Sequence, residues 1–202
     1  MKLWQILGFV LLLPQLSLAA EQCPNYQVCF TPGQSCTRTI VDSLWQARQS
    51  IAVQAYSFTS FQIAKALVDA KQRGVEVKVI LDKAWLDDKK QDKRFRAAIL
   101  YMYEHEVPLW IDYEPSIAHN KVMIIDAKQV ITGSFNFTNS AEKRNAENVL
   151  IIDSPALAEQ YLQNWQKRFA VSLQVPAYAK RNSSEFEQFK HRVLANSAEF
   201  AR

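Results

Sequence analysis

Apolar positions recur along the chain in blocks that switch between two periods. Residues 39–47 carry them at helical spacing, residues 51–58 form a β-branched and aromatic run of strand type, residues 63–73 return to helical spacing and close at Gly74, and residues 75–81 are an almost unbroken apolar strand. Strand, helix and strand in succession make a βαβ unit, which predicts parallel pairing and a right-handed crossover. Residues 94–104 read as an amphipathic helix, 107–112 as a short strand, 148–152 as another, and 155–169 as a helix opening with Pro155 in its first turn. Between them, Val122-Met-Ile-Ile125 and Val130-Ile-Thr132 flank the polar stretch Asp126-Ala-Lys-Gln129, the pattern of a β-hairpin. The expected fold class is α/β, with a mixed, largely parallel β-sheet flanked by helices in one domain and no internal repeat.

The two ends depart from this pattern. Residues 1–20 carry one early cation, Lys2, then an apolar run over 3–13, then Pro14 and the small-residue exit Ser17-Leu-Ala19-Ala20. This is the three-part form of a signal peptide, with cleavage expected after Ala19 or Ala20. The run falls short of the roughly twenty apolar residues of a membrane span. Beyond Pro176, Ser184-x-x-Glu187 has the form of a capping box opening a helix with Phe186, Phe189, Val193 and Leu194 along one side. That helix is expected to dock on the core or on a second copy of the chain. The expected organisation is a signal peptide (1–20), a Cys-containing N-terminal segment (21–36), a main domain (37–175) and a C-terminal helical extension (176–202). The mature chain is long enough for one domain with a full core.

Cys23, Cys29 and Cys36 all follow the expected cleavage site. In an oxidising compartment one disulfide and one leftover thiol are expected, with the pairing open. With Lys2 removed, 23 basic side chains face 20 acidic ones, a mild excess that fits a polyanionic partner without requiring one. Arg94, Arg96, Lys143, Arg144, Lys167 and Arg168 are the candidates for a phosphate-tracking face. Trp85, in a charge-dense stretch, has two readings: a platform for a base or a groove wall, or a side chain packed under a solvated loop. Asn136-Phe-Thr138 and Asn182-Ser-Ser184 match the glycosylation sequon. A glycan on Asn136 would cover the chemistry described next, which favours a bacterial periplasmic or secreted protein.

That chemistry is gathered between His119 and Asn136. If the hairpin turn is centred on Ala127-Lys128, Lys121 lies opposite Ser134 and His119 opposite Asn136, and all four groups project from one face. A three-residue loop would break this register. A neutral imidazole can attack phosphorus, while the Lys ammonium and the Asn and Ser donors hold the non-bridging oxygens as charge redistributes. The residue types point to phosphodiester cleavage that calls for no metal ligands and no cofactor.

The spacing His119-x-Lys121-x4-Asp126-x6-Gly133-Ser134-x-Asn136 resembles the signature of the phospholipase D superfamily. Its surroundings, Ala55-Tyr-Ser-Phe-Thr59, Gly133-Ser-Phe-Asn-Phe-Thr138, Glu147-Asn148 and Asn164-Trp-Gln-Lys-Arg168, are similar to the small, secreted, single-motif bacterial endonucleases of that superfamily. The resemblance implies a covalent phosphohistidine on His119, phosphate binding by Lys121, Ser134 and Asn136, and orientation of the imidazole by Glu147. Asp126 belongs to the motif and is a candidate catalytic residue with His119, Lys121 and Glu147, yet the hairpin reading puts it at the turn, so a chemical role and a turn-capping role both stand. A single copy of the motif leaves the leaving oxygen without a general acid, so the resemblance further implies a homodimer that shares one site across a two-fold axis, with His119 of a second subunit as the acid. His105 and His191 read as surface or structural. DNA, with RNA beside it, is the expected substrate; a membrane phospholipid of cardiolipin type and a silent nucleic-acid-binding role are the alternatives.

Overall fold

The structure is a computed structural model of the chain and describes residues 25–86, 93–177 and 184–199. The expected signal peptide and Cys23 lie outside the described residues. The elements in chain order are β1 (Asn25–Thr31), α1 (Cys36–Gln46), β2 (Ser50–Ala55), α2 (Phe61–Gln72), β3 (Glu76–Asp82), a 3-10 turn (Lys83–Leu86), α3 (Lys93–Glu104), β4 (Leu109–Asp112), β5 (Lys121–Ile125), β6 (Gln129–Gly133), α4 (Asn139–Lys143), β7 (Glu147–Asp153), α5 (Pro155–Val171), β8 (Leu173–Gln174) and α6 (Ser184–Glu199).

Local chemistry sets many of these boundaries. Ser60 and Ser154 cap α2 and α5, their hydroxyls accepting from Ile63 N and Leu157 N, and Pro155 occupies the first turn of α5. Helix α2 stops because Gly74 turns to φ +90°. Gly74 N then donates to Lys71 O at 2.9 Å and Val75 N to Ala70 O at 3.1 Å, closing the helix and launching β3.

The strands form one sheet in the order β1-β7-β6-β5-β2-β3-β4-β8. Only β2–β3 and β3–β4 pair in parallel; the other neighbours are antiparallel. The sheet is mixed and flanked by helices as expected, but its balance is antiparallel rather than largely parallel. The βαβ signal governs only the β2–β4 stretch, while the hairpin β5–β6 and the strands beyond it run back and forth. The sequence reading also missed β1, although Tyr26, Val28 and Phe30 alternate with Gln27 and Cys29 in strand fashion.

One face of the sheet is covered by the α1, α2 and α3 layer and by α6, around Leu44, Leu67, Met102, Met123, Phe135 and Phe189. The other is covered by α5, whose Trp165 and Ala158 pack with Ile80, Trp110, Ile124 and Val130. The Trp165 indole donates to the Val53 carbonyl at 3.0 Å. Helix α5 does not extend over the β1 edge. There Tyr26 pairs with Ile152 and Val28 with Leu150, and Tyr26 and Phe30 are 67% and 57% exposed, leaving an apolar strip open to solvent.

Strand β1 is held by the Cys29–Cys36 disulfide, which settles the pairing left open above. It closes the β1–α1 corner onto α4: Glu142 accepts from Thr37 N at 2.8 Å and Ser35 Oγ at 3.1 Å, and Thr31 Oγ1 donates to Ala141 O at 2.8 Å. Removing the bridge by paired Cys29→Ser and Cys36→Ser substitution is expected to lower unfolding stability by about 2–3 kcal/mol, the chain-entropy value for so short a loop. Urea denaturation of the two forms measures it.

Candidate active site

Lys121 opens β5 opposite Ala55, the last residue of β2. Its side chain is 7% exposed and turns back over the preceding residues. The ammonium donates to the His119 carbonyl at 2.8 Å and lies 3.1 Å from both ring nitrogens of His119. Burial lowers the Lys121 pKa, and the negative charge of Glu147 partly offsets that effect. No carboxylate among the described residues lies within ion-pair distance of it. The Tyr56 ring completes the cluster, 4.6 Å from the His119 ring and 5.3 Å from the ammonium, centroid distances in both cases.

The segment before His119 is fastened from β3. Asp82, 3% exposed, accepts from Ala118 N at 2.7 Å and from Ala84 N at 2.8 Å. Lys83 donates to the Tyr113 and Pro115 carbonyls at 3.1 and 2.8 Å. Asp82, Lys83 and Tyr56 were assigned no role from sequence. The available signal was positional: an acid and a base that end a buried strand, where α/β sheets place their crevices.

The other arm of the site leaves β6 at Gly133. Its φ is +147°, and an added Cβ would stand 2.2 Å from the Asn148 carbonyl, so the close approach of β6 to β7 admits glycine alone. Beyond it, polar and apolar residues alternate. Phe135 and Phe137 are each 1% exposed and anchor the segment, Phe137 stacking edge-on against Phe58 at 5.7 Å and its carbonyl accepting from Thr59 N and Ser60 N. Ser134 and Asn136 therefore stand on the opposite side. Ser134 Oγ donates to Glu147 Oε2 at 2.5 Å and accepts from Asn148 N at 3.1 Å. The Asn136 Oδ1 atom is buried without a hydrogen-bond partner among the described residues, an amide held for something other than packing.

The hairpin register differs from expectation. Met123 pairs with Ile131 and Ile125 with Gln129, leaving a three-residue loop. Asp126 and Ala127 take φ +54° and +51°, and Lys128 N closes on Ile125 O at 3.0 Å, the geometry of a type I′ turn followed by one extra residue. Carried on, this register sets Lys121 opposite Gly133 rather than Ser134. The Lys121 side chain folds back onto His119 and the other arm kinks at Gly133, so neither is placed by the expected cross-strand pairs.

Several expected roles change accordingly. Asp126 lies at the far end of β5 from Lys121 and accepts from Arg48 N, Gln49 N and Ser50 N at 2.9, 2.7 and 2.9 Å, so the structure gives it the work of a clamp at the turn, away from the His119–Lys121 pair. Glu147 is bonded to Ser134 and to Asn145 Nδ2, and among the described residues it makes no bond to the His119 ring. Trp85 is 7% exposed and packs edge-on against Tyr103 at 6.5 Å; it belongs to the core and offers no stacking platform. Arg168 is paired with Asp112 and Glu114 and ties α5 to β4. Lys143 and Arg144 are exposed on α4 and its cap, between Asn136 and Glu147. The side chains of Arg94 and Arg96 lie outside the described residues. Among the described residues no group of His, Cys, Asp and Glu is placed to hold a metal ion.

A family model described as "Cardiolipin synthase, PLD-like domain" matches residues 40–169, which span β2 to β7 and every site residue above. The chain belongs to the phospholipase D superfamily. It is 48% identical over 146 residues to the phospholipase D of Rickettsia typhi, covering 72% of this chain and 69% of that protein. It is 30% identical over 154 residues to the human mitochondrial cardiolipin hydrolase, covering 76% of this chain and 57% of that protein. Among solved structures it resembles Nuc of Salmonella typhimurium, a phospholipase D family member, with a TM-score of 0.69, 39% identity, and coverage of 75% of this chain and 97% of that one. The superfamily makes this protein a hydrolase of phosphodiesterase type.

The clamp role of Asp126 has a measurable signature. Burial would raise its carboxyl pKa, but three backbone N–H groups and the Lys128 charge outweigh that and hold it below the ordinary carboxylate value. The stabilisation is complete above the unfolded-state pKa and is lost as pH falls through the depressed folded-state value. Asp126→Asn is expected to cost about 1–3 kcal/mol at neutral pH, the worth of hydrogen bonds to a charged group. The deficit relative to the parent should narrow in acid, and turnover per folded molecule should be unchanged. Denaturant titrations across a pH series, with activity assayed in parallel, provide the check.

Proposed function

We propose that this superfamily member is a metal-independent, sequence-nonspecific endonuclease on DNA, with RNA as a second substrate, acting through a covalent phosphohistidine on His119. The observation that carries this is the Lys121 ammonium, buried without a carboxylate partner and 3.1 Å from both His119 ring nitrogens. A buried cation lacking a counter-ion is costly, and a phosphate seated there supplies the counter-ion next to the nucleophile. The His119 nitrogen attacks phosphorus and forms the P–N bond as the P–O bond to the leaving oxygen breaks. A second imidazole protonates that oxygen, then takes a proton from the water that displaces His119. Lys121 and the Asn136 amide hold the non-bridging oxygens.

We assign the second imidazole to His119 of a second subunit. The uncovered strip of Tyr26, Val28 and Phe30 supports this, because it ends where Phe30 pairs with Asn148 and Thr31 with Glu147. An apolar patch running into a site fits a self-complementary contact. Export to the periplasm or beyond rests on the N-terminal sequence and accords with the Cys29–Cys36 bridge. The similarity to proteins named phospholipase D and mitochondrial cardiolipin hydrolase supports a second reading, hydrolysis of a phospholipid by the same chemistry. No described helix is long and apolar enough to cross a membrane.

Plasmid and single-stranded DNA, incubated with the mature protein in excess EDTA, should be cleaved, and His119→Ala should abolish cleavage. Release of headgroup from cardiolipin vesicles without DNA cleavage would move the assignment to the lipid. Phe30→Asp should shift the protein from dimer to monomer in sedimentation velocity and lower specific activity by at least about a hundredfold, the scale on which loss of a general acid is felt.

A further inference from the structure

Within one protomer and among the described residues no carboxylate bonds the His119 imidazole, since Glu147 is bonded to Ser134 and Asn145. What touches the ring instead is the Lys121 ammonium on its nitrogens and Tyr56 on its side. Tyr56 directly follows β2, and its backbone N–H donates to the Asn120 carbonyl at 3.0 Å, tying it to the residue between His119 and Lys121. Its ring lies 4.6 Å from the imidazole at an interplanar angle of 54°, and the ammonium lies 5.3 Å from the same ring's centroid. One aromatic ring thus lies against both the imidazole and the ammonium. His119 is exposed to solvent, so without that ring its side chain is free to leave the attack position. Tyr56 itself is only half-buried and makes no hydrogen bond from its hydroxyl to a described residue.

We infer that Tyr56 is a positioning residue: its ring, not its hydroxyl, holds the His119 imidazole in register with the Lys121 ammonium. The aromatic quadrupole attracts the cation, and the tilted ring–ring contact restricts imidazole rotation. The inference rests on His119 being the nucleophile. It goes further by assigning an orienting role to an aromatic ring that lies outside the motif.

Tyr56→Phe and Tyr56→Leu, compared on the chromogenic diester bis(4-nitrophenyl) phosphate, separate the possibilities. A leucine side chain keeps apolar bulk but has no ring. The Phe variant is expected to turn over at the parental rate. The Leu variant should lose about ten- to a hundredfold in kcat, the cost of a nucleophile displaced by an ångström or less, with KM and Tm little changed. In the NMR spectrum the His119 Cε1 proton, assigned by its absence in His119→Ala, should lose its ring-current shift in the Leu variant and keep it in the Phe variant. An unchanged kcat in Tyr56→Leu, or an equal loss in Tyr56→Phe, overturns the inference. A loss matched by a fall in Tm also overturns it, because the ring would then be only structural. If His119→Ala retains full activity, it is the nucleophile assignment that has failed, and the two failures are told apart in one experiment.

Discussion

Much of this structure turns on one buried charge. The Lys121 ammonium sits at the end of the sheet on a residue that is 7% exposed, compensated by a carbonyl, an aromatic face and the more distant charge of Glu147. Each neutral or remote partner is weaker than a bonded carboxylate, so the site favours an anion where the imidazole can reach it. A bonded carboxylate would have stabilised the resting protein and competed with the substrate. Among the described residues Lys121 has none.

The surrounding framework keeps that arrangement in place. Strand β2 ends at Ala55, from which Tyr56 is launched, and β3 ends at Asp82, which fixes the backbone entering His119. The Gly133 pinch and the paired anchors Phe135 and Phe137 aim Ser134 and Asn136. Behind them the disulfide, β1 and α1 hold α4, and α4 sets where the chain returns to Glu147. The hydroxyl of Ser134 is committed to Glu147, so it acts on that carboxylate and only through it on the Lys121 charge. On the proposed reading the same inner arrangement would serve a nucleotide or a lipid diester, since only the phosphate would meet it. Selection between them rests with the surface around it, where Lys143 and Arg144 and the apolar β1 strip lie close to the site along the chain and in the sheet register.

The sequence by itself determined the residue types, the α/β class and the elements with strong periodicity. Apolar spacing set α2, β3 and α5 to within a residue or two, because caps and glycine act locally. The motif named His119, Lys121, Ser134 and Asn136 because the chemistry of phosphoryl transfer restricts which side chains serve, and the family resemblance added Glu147. Tertiary structure decided what depends on distant partners. The left-handed pair Asp126-Ala127 lengthened the hairpin loop and changed its register, since Asp126 gains three N–H donors from a segment more than seventy residues earlier. Trp85 and Arg168 moved from candidate ligand contacts to core and ion pair because burial and partnership are properties of packing, not of composition. Tyr56, Asp82 and the Cys29–Cys36 pairing became meaningful only once strands remote in sequence were set side by side.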